Sequence, residues 1–138
     1  MDEPAAVLAA VEDIRRLKAR YLRYLDTQDW DRFRSVFTDD VEMDVSEDGA
    51  GVVRGSEQVT ASIATALAGA STVHQATTPE IGVDGDEATG VWAMTDVVVF
   101  PDGTRLDGAG HYHDRYRRVE GDWRIASFRL SRLRRDVA

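Results

Sequence analysis

Asp26, His74 and Asp96 are ionisable residues standing where the surrounding pattern turns side chains inward, and such a group in a close-packed interior needs a partner or a task. A carboxylate that accepts from one imidazole nitrogen fixes the tautomer and leaves the other nitrogen as a base. Such a pair can remove a proton from carbon. Asp26 closes a helical stripe that also holds Tyr21, and taken alone it fits a cap or turn carboxylate better than a catalytic one. His74, in TVHQATTPEI, taken alone likewise fits a hydrogen-bonded core histidine better than a catalytic one. Asp96 carries more weight, because Ala88, Gly90, Trp92 and Met94 on its strand face are small or apolar. Arg132 shares parity with Phe128 and Leu130, which makes it an inward partner for an acid or, alternatively, a frayed strand end. His111 and His113 share one strand face, yet nothing stands at a spacing that completes a metal site with them, so no metal is expected.

These residues must be positioned by a small protein. With 138 residues, 43% hydrophobic and 30% charged, the chain fits one folded domain spanning 1–138. It has no cysteine, which excludes disulfides, thiolate catalysis and cysteine-based zinc sites. A formal charge of −8 opposes binding to nucleic acid. The stretch MDEPAAVLAAVEDIRR lacks the features of a leader, and no window reaches the roughly 18 apolar residues of a membrane span, so cytoplasmic residence is expected.

Val7, Val11, Ile14, Leu17, Tyr21 and Leu25 recur at spacings of three and four, which predicts a helix from about Ala5 to Leu25. A short helix in DWDRFRSVF, capped by Asp29, should end at the acidic turn Thr38-Asp39-Asp40. Alternation at Val41, Met43 and Val45 predicts a half-buried strand, broken at Gly49 and Gly51. A third helix should run from a Ser56 cap to Gly69. The rest reads as strands: one from about Thr72 with a break near Pro79, then Glu87 to Phe100, Arg105 to Val119 and Asp122 to Leu133. Short turns at Pro101-Asp102-Gly103 and Glu120-Gly121-Asp122 make neighbours antiparallel. The expected class is α+β, with N-terminal helices on one face of a curved, mostly antiparallel sheet. Its outer face, with Ala93, Val97 and Val99, is apolar enough to predict a homo-oligomer.

Three stretches together resemble a known family: IRRLKARYLRYLDTQDWD, VHQATTPEIGVDGDEATGVWAMTDVVVFPDG and HYHDRYRRVEGDWRIASFRLSRL. They are similar to SnoaL-like proteins of the NTF2-like superfamily, above all the bile acid 7α-dehydratases, and more distantly the scytalone dehydratases and lindane dehydrochlorinases. The resemblance implies a cone-shaped fold, often a trimer or dimer, and places functional residues at Tyr21, Asp26, His74, Asp96 and Arg132. It shifts Asp26 and His74 from structural to catalytic. The implied reaction is cofactor-independent elimination of water from a hydrophobic hydroxylated carbonyl compound, steroid- or polyketide-like, with a coenzyme A thioester among its forms. His74 would be the base, Tyr21 a donor to the developing oxyanion, and His74 or a neutral Asp96 the acid. The expected pocket wall is Leu17, Trp92, Met94, Tyr112, Phe128 and Leu130. Isomerisation and cyclisation begin with the same proton removal, and the fold also serves as a non-catalytic binding module.

Overall fold

Pro4, free of an amide hydrogen that the first helical turn cannot use, opens helix α1 (Pro4–Asp26). The structure, a computed structural model, describes residues 3–138. Met1 and Asp2 of the N-terminal stretch lie outside the described residues. α1 buries Ala10, Ile14, Leu17, Lys18, Tyr21 and Leu25, one stripe at helical spacing with a lysine in it. Gln28, at φ 54°, turns the chain, and Asp29 caps helix α2 (Trp30–Ser35) by accepting from the Arg32 amide.

Strand β1 (Phe37–Asp44) begins earlier than the sequence predicts and absorbs the expected acidic turn. Phe37 pairs with Ile125 and the register then slips before Glu42, which leaves Asp39 and Asp40 exposed within an extended chain. A 3-10 turn at Ser46–Asp48 and a three-residue strand β2 (Val52–Arg54) follow, both too short for any periodicity to reveal. Helix α3 (Ser56–Ala66) is capped by Gly55, not Ser56, and stops before Gly69. The carbonyls of Leu67 and Ala70 accept from the Gln28 side chain, which ties this end of α3 to the end of α1.

Strands β3 (Ser71–Asp84), β4 (Glu87–Val99), β5 (Arg105–Val119) and β6 (Asp122–Val137) complete one sheet in the order β2-β1-β6-β5-β4-β3. Every neighbouring pair is antiparallel except β1 with β6. The break expected at Pro79 is a register shift between Thr77 and Glu80 in a continuous strand. β3 lies at the sheet edge, where a residue without an amide hydrogen is tolerated. Glu120 and Gly121, at φ 51° and 88°, form the two-residue turn whose twist matches the β5–β6 hairpin. β6 runs four residues past the predicted Leu133, because Arg134, Arg135, Asp136 and Val137 are exposed and show no inward alternation but still pair with β5.

Helices pack on the inner face, where the even-numbered residues of β4 and β5 point. Tyr21, Phe33, Phe37 and Phe128 form a ring cluster with neighbouring centroids 5.0–6.1 Å apart. Ala93, Val97 and Val99 are half-buried on the outer face, and Val73 and Val91 are exposed there. No helix among the described residues is long and apolar enough to cross a membrane.

Candidate active site

The C-terminus of α1 delivers Asp26 to the inner face of β3. Its carboxylate meets three groups: Oδ1 accepts from the Thr72 hydroxyl at 2.9 Å, Oδ2 from the His74 backbone amide at 2.8 Å, and Oδ1 lies 2.7 Å from His74 Nδ1. Two fixed donors therefore hold Asp26 before the imidazole is considered, and the third contact makes Nδ1 the protonated nitrogen. Nε2 is left facing the cavity, 4.0 Å from Asp96 Oδ2. The His74 side chain is 10% exposed, enough for a ligand to reach it and little enough to exclude bulk water.

Asp96 and Arg132 come together as the parity of β4 and β6 requires. Arg132 Nη1 and Nη2 donate to the two Asp96 oxygens at 2.8 and 3.1 Å, a bidentate pair. Both Asp96 oxygens thus accept from the guanidinium. Gly108, opposite Asp96 on β5, is required here: a Cβ would collide with Arg132 Nη1 and Asp96 Oδ1. The other side of the guanidinium donates to Asp48 at 2.9 Å from Nε and 2.9 Å from Nη2. Burial pulls the Arg132 pKa down, but the hydrogen bonds it donates to Asp48 and Asp96, with the attraction of both charges, outweigh it and hold the cation charged.

His74, Asp96, Arg132 and Asp48 line a cavity of ≈ 280 Å³ together with Tyr21, Leu25, Met43, Ile63, Val98 and Leu106, with Asp26 behind His74 and outside the lining. Burial drives the Tyr21 pKa well above that of a free phenol, with the Asp114 charge adding to it, so Tyr21 stays neutral. Of the predicted wall, Phe128 lines this cavity. Trp92, Met94, Tyr112 and Leu130 are instead packed in the core, and Trp92 donates to Tyr116 at 2.9 Å. Leu17 borders a different, polar cleft beside the β5–β6 turn. The correction has a simple cause. Inward parity says which residues leave the outer face, but not how far along the strand the layers separate, and here they part near Val98 and Leu106.

The sequence does not single out Asp48, and it offers Arg135 only as one of five arginines (with Arg124, Arg129, Arg132 and Arg134) crowding a C-terminal segment that could balance carboxylates or meet an anionic part of a ligand, or form a solvated strand edge. Asp48 sits on the short 3-10 turn, and Arg135 has the wrong parity until a register shift on β6 is known. Gly110 pairs with Arg132 and Ala109 with Arg134, so Leu133 bulges out and Arg135 returns to the cavity side. Lys18 was also overlooked, although it follows Ile14 by four residues and precedes Tyr21 by three. His111 and His113 sit with centroids 6.3 Å apart, and His113 reaches the Ser131 hydroxyl at 2.9 Å, away from the cavity.

The SnoaL-like domain family matches residues 6–129. The chain belongs to this family. Its fold is accordingly the NTF2-like cone of helices on a curved open sheet. Among known proteins, it is 29% identical over 133 residues to "Probable cyclase FGR4" of Gibberella zeae, covering 87% of this chain and 89% of that one. Among solved structures, it is similar to Rv3472(D26N) of Mycobacterium tuberculosis, at a TM-score of 0.84 and 29% identity, over 96% of this chain and 77% of that one. The hexachlorocyclohexane dehydrochlorinase LinA Type2 superposes at a TM-score of 0.88 with 20% identity, over 99% and 93% of the two chains.

Proposed function

We propose that this chain is a cofactor-independent lyase that removes a proton next to a carbonyl in a hydrophobic hydroxylated substrate and expels water. The observation that carries the reading is the His74 imidazole, locked through Nδ1 onto a doubly anchored Asp26, with Nε2 turned into an apolar cavity. Nε2 takes the C–H proton, the electron pair moves toward the carbonyl, and Tyr21 donates to the developing oxyanion. The imidazolium then returns the proton to the departing hydroxyl. The C–H and C–O bonds break, a C=C bond forms, and water leaves. Arg132 holds Asp96 in place beside Nε2. A cavity of ≈ 280 Å³ suits a compact polyketide-like ring system better than a full steroid.

Cyclisation is the second reading, supported by the name of the Gibberella zeae relative. It starts from the same deprotonation and differs in what the carbanion attacks. Turnover of β-hydroxy carbonyl compounds with apolar bodies, followed by the absorbance of the enone product, tests both. His74→Ala and Asp26→Asn should each lose about 10²–10⁴-fold in rate. The double variant should be little worse than either single one, since groups acting as a unit are strongly non-additive. Near-wild-type rates in both single variants, with the fold intact by circular dichroism, would sink the dyad assignment.

A further inference from the structure

Arg132 is bracketed by two carboxylates of different standing. Asp96 is 4% exposed on the inner face of β4 and faces His74. Asp48 is 20% exposed and comes from a 3-10 turn at the cavity mouth, followed by Gly49 and Gly51 at φ 87° and 77°. The turn is tied to β6 through few side chains: Glu47 accepts from the Arg132 amide at 2.9 Å and lies 3.8 Å from Arg129. Arg135, 43% exposed, approaches Asp48 at 3.7 Å from the same strand. Asp48, Arg132 and Arg135 all line the cavity already described.

The charges count out simply. Arg132 with Asp96 is neutral, whereas the ion pair of Arg135 among the described residues is with Asp48. If Asp48 swings out, one positive charge and one face of a guanidinium fork are left at the mouth of an apolar cavity. A monoanion would restore both the charge and the paired hydrogen bonds.

We propose that Asp48 occupies the seat of a substrate carboxylate, and that the natural ligand is an apolar carboxylic acid whose anionic end displaces Asp48 from Arg132 and Arg135. The apolar wall receives the body of the molecule, and the exchange of one carboxylate for another leaves the pairing of Arg132 with Asp96 undisturbed. The proposal rests on the catalytic reading only in taking this cavity as the substrate site. It narrows the substrate class from a hydrophobic carbonyl compound to one that also carries a free carboxylate.

Calorimetric titration with decanoate and its neutral isostere decanamide provides the test. Asp48→Asn keeps the shape of the turn residue and removes its charge. It should tighten decanoate about tenfold, the size of one partly desolvated charge interaction, and leave decanamide within about twofold. Arg135→Gln, at an exposed position that should not disturb folding, should weaken decanoate by a similar factor and spare decanamide. The proposal is overturned if either variant shifts both probes alike, if Asp48→Asn leaves decanoate unchanged, or if neither probe binds wild type or Asp48→Asn at millimolar concentration. His74→Ala separates the two readings. A protein that prefers decanoate but shows no His74-dependent turnover overturns the catalytic reading alone, and His74-dependent turnover without that preference overturns the carboxylate seat alone.

Discussion

At the cavity rim, Arg132 is surrounded by acceptors on both edges of its guanidinium, while in the core Lys18 has one carboxylate, Asp114, at 2.8 Å. The core pair is sealed, with side chains 1% and 0% exposed. Lys18 Nζ lies over the Tyr112 and Tyr21 rings at 3.6 and 4.4 Å, and Asp114 Oδ2 also accepts from the Tyr116 hydroxyl at 2.7 Å. Asp114 Oδ1 has no hydrogen-bond partner. Burial pulls the Lys18 pKa down against the opposing attraction of Asp114. The rim cluster is thus rich in partners and partly wetted, so one of them can be exchanged. The core cluster has no spare partner and no access to water. Its place directly beneath Tyr21 and Tyr112 suits it to fixing those rings, whereas the rim suits ligand exchange.

Lys18→Met breaks the comparison most severely. It strands a buried carboxylate and should cost about 3–5 kcal/mol of stability in urea unfolding, most of which Lys18→Met/Asp114→Asn should restore. A loss below about 1 kcal/mol for the single variant would mean that Asp114 finds water or a proton, and that the core is not sealed.

Gly108→Ala attacks the rim instead. The added methyl must push Arg132 off Asp96, which should cost about 1–3 kcal/mol and lower turnover while the Lys18 cluster stays intact. Unchanged activity with an unchanged melting temperature would show that the bidentate pair is not needed in this form.

Alkaline titration sharpens the contrast with a smaller effect per group. Burial raises the pKa of Tyr21, Tyr112 and Tyr116 above the ordinary phenol value in the folded state. Their contribution to stability is therefore complete below about pH 10, the unfolded value, and is lost as pH rises beyond it. Lys18, lowered in the fold, works in the opposite sense, but its contribution stops changing above about pH 10.5, where the unfolded lysine has also lost its proton. Urea midpoints should consequently fall above that pH, by up to about 1.4 kcal/mol per pH unit for each tyrosine. Tyr116→Phe should flatten the slope. A midpoint independent of pH up to 11.5 (about one unit past the unfolded lysine value) would contradict the sealed core.

Much of this protein was legible before any coordinate. The stripe from Ile14 to Leu25 dictated α1, and the alternation in Glu87 to Phe100 and Arg105 to Val119 dictated two strands whose boundaries match the structure within a residue. The same parity turned Asp96 and Arg132 toward each other, because side chains two residues apart on a strand share a face regardless of what packs against it. Local pattern could not supply anything that depends on register or on where layers diverge. The slip at Leu133 that returns Arg135 to the cavity, the short turn carrying Asp48, and the depth at which Trp92, Met94 and Leu130 become core instead of pocket wall are set by pairing between distant strands. Sequence fixes which face a side chain takes; only the packed sheet, by bulging one strand against another, decides which side chains meet there.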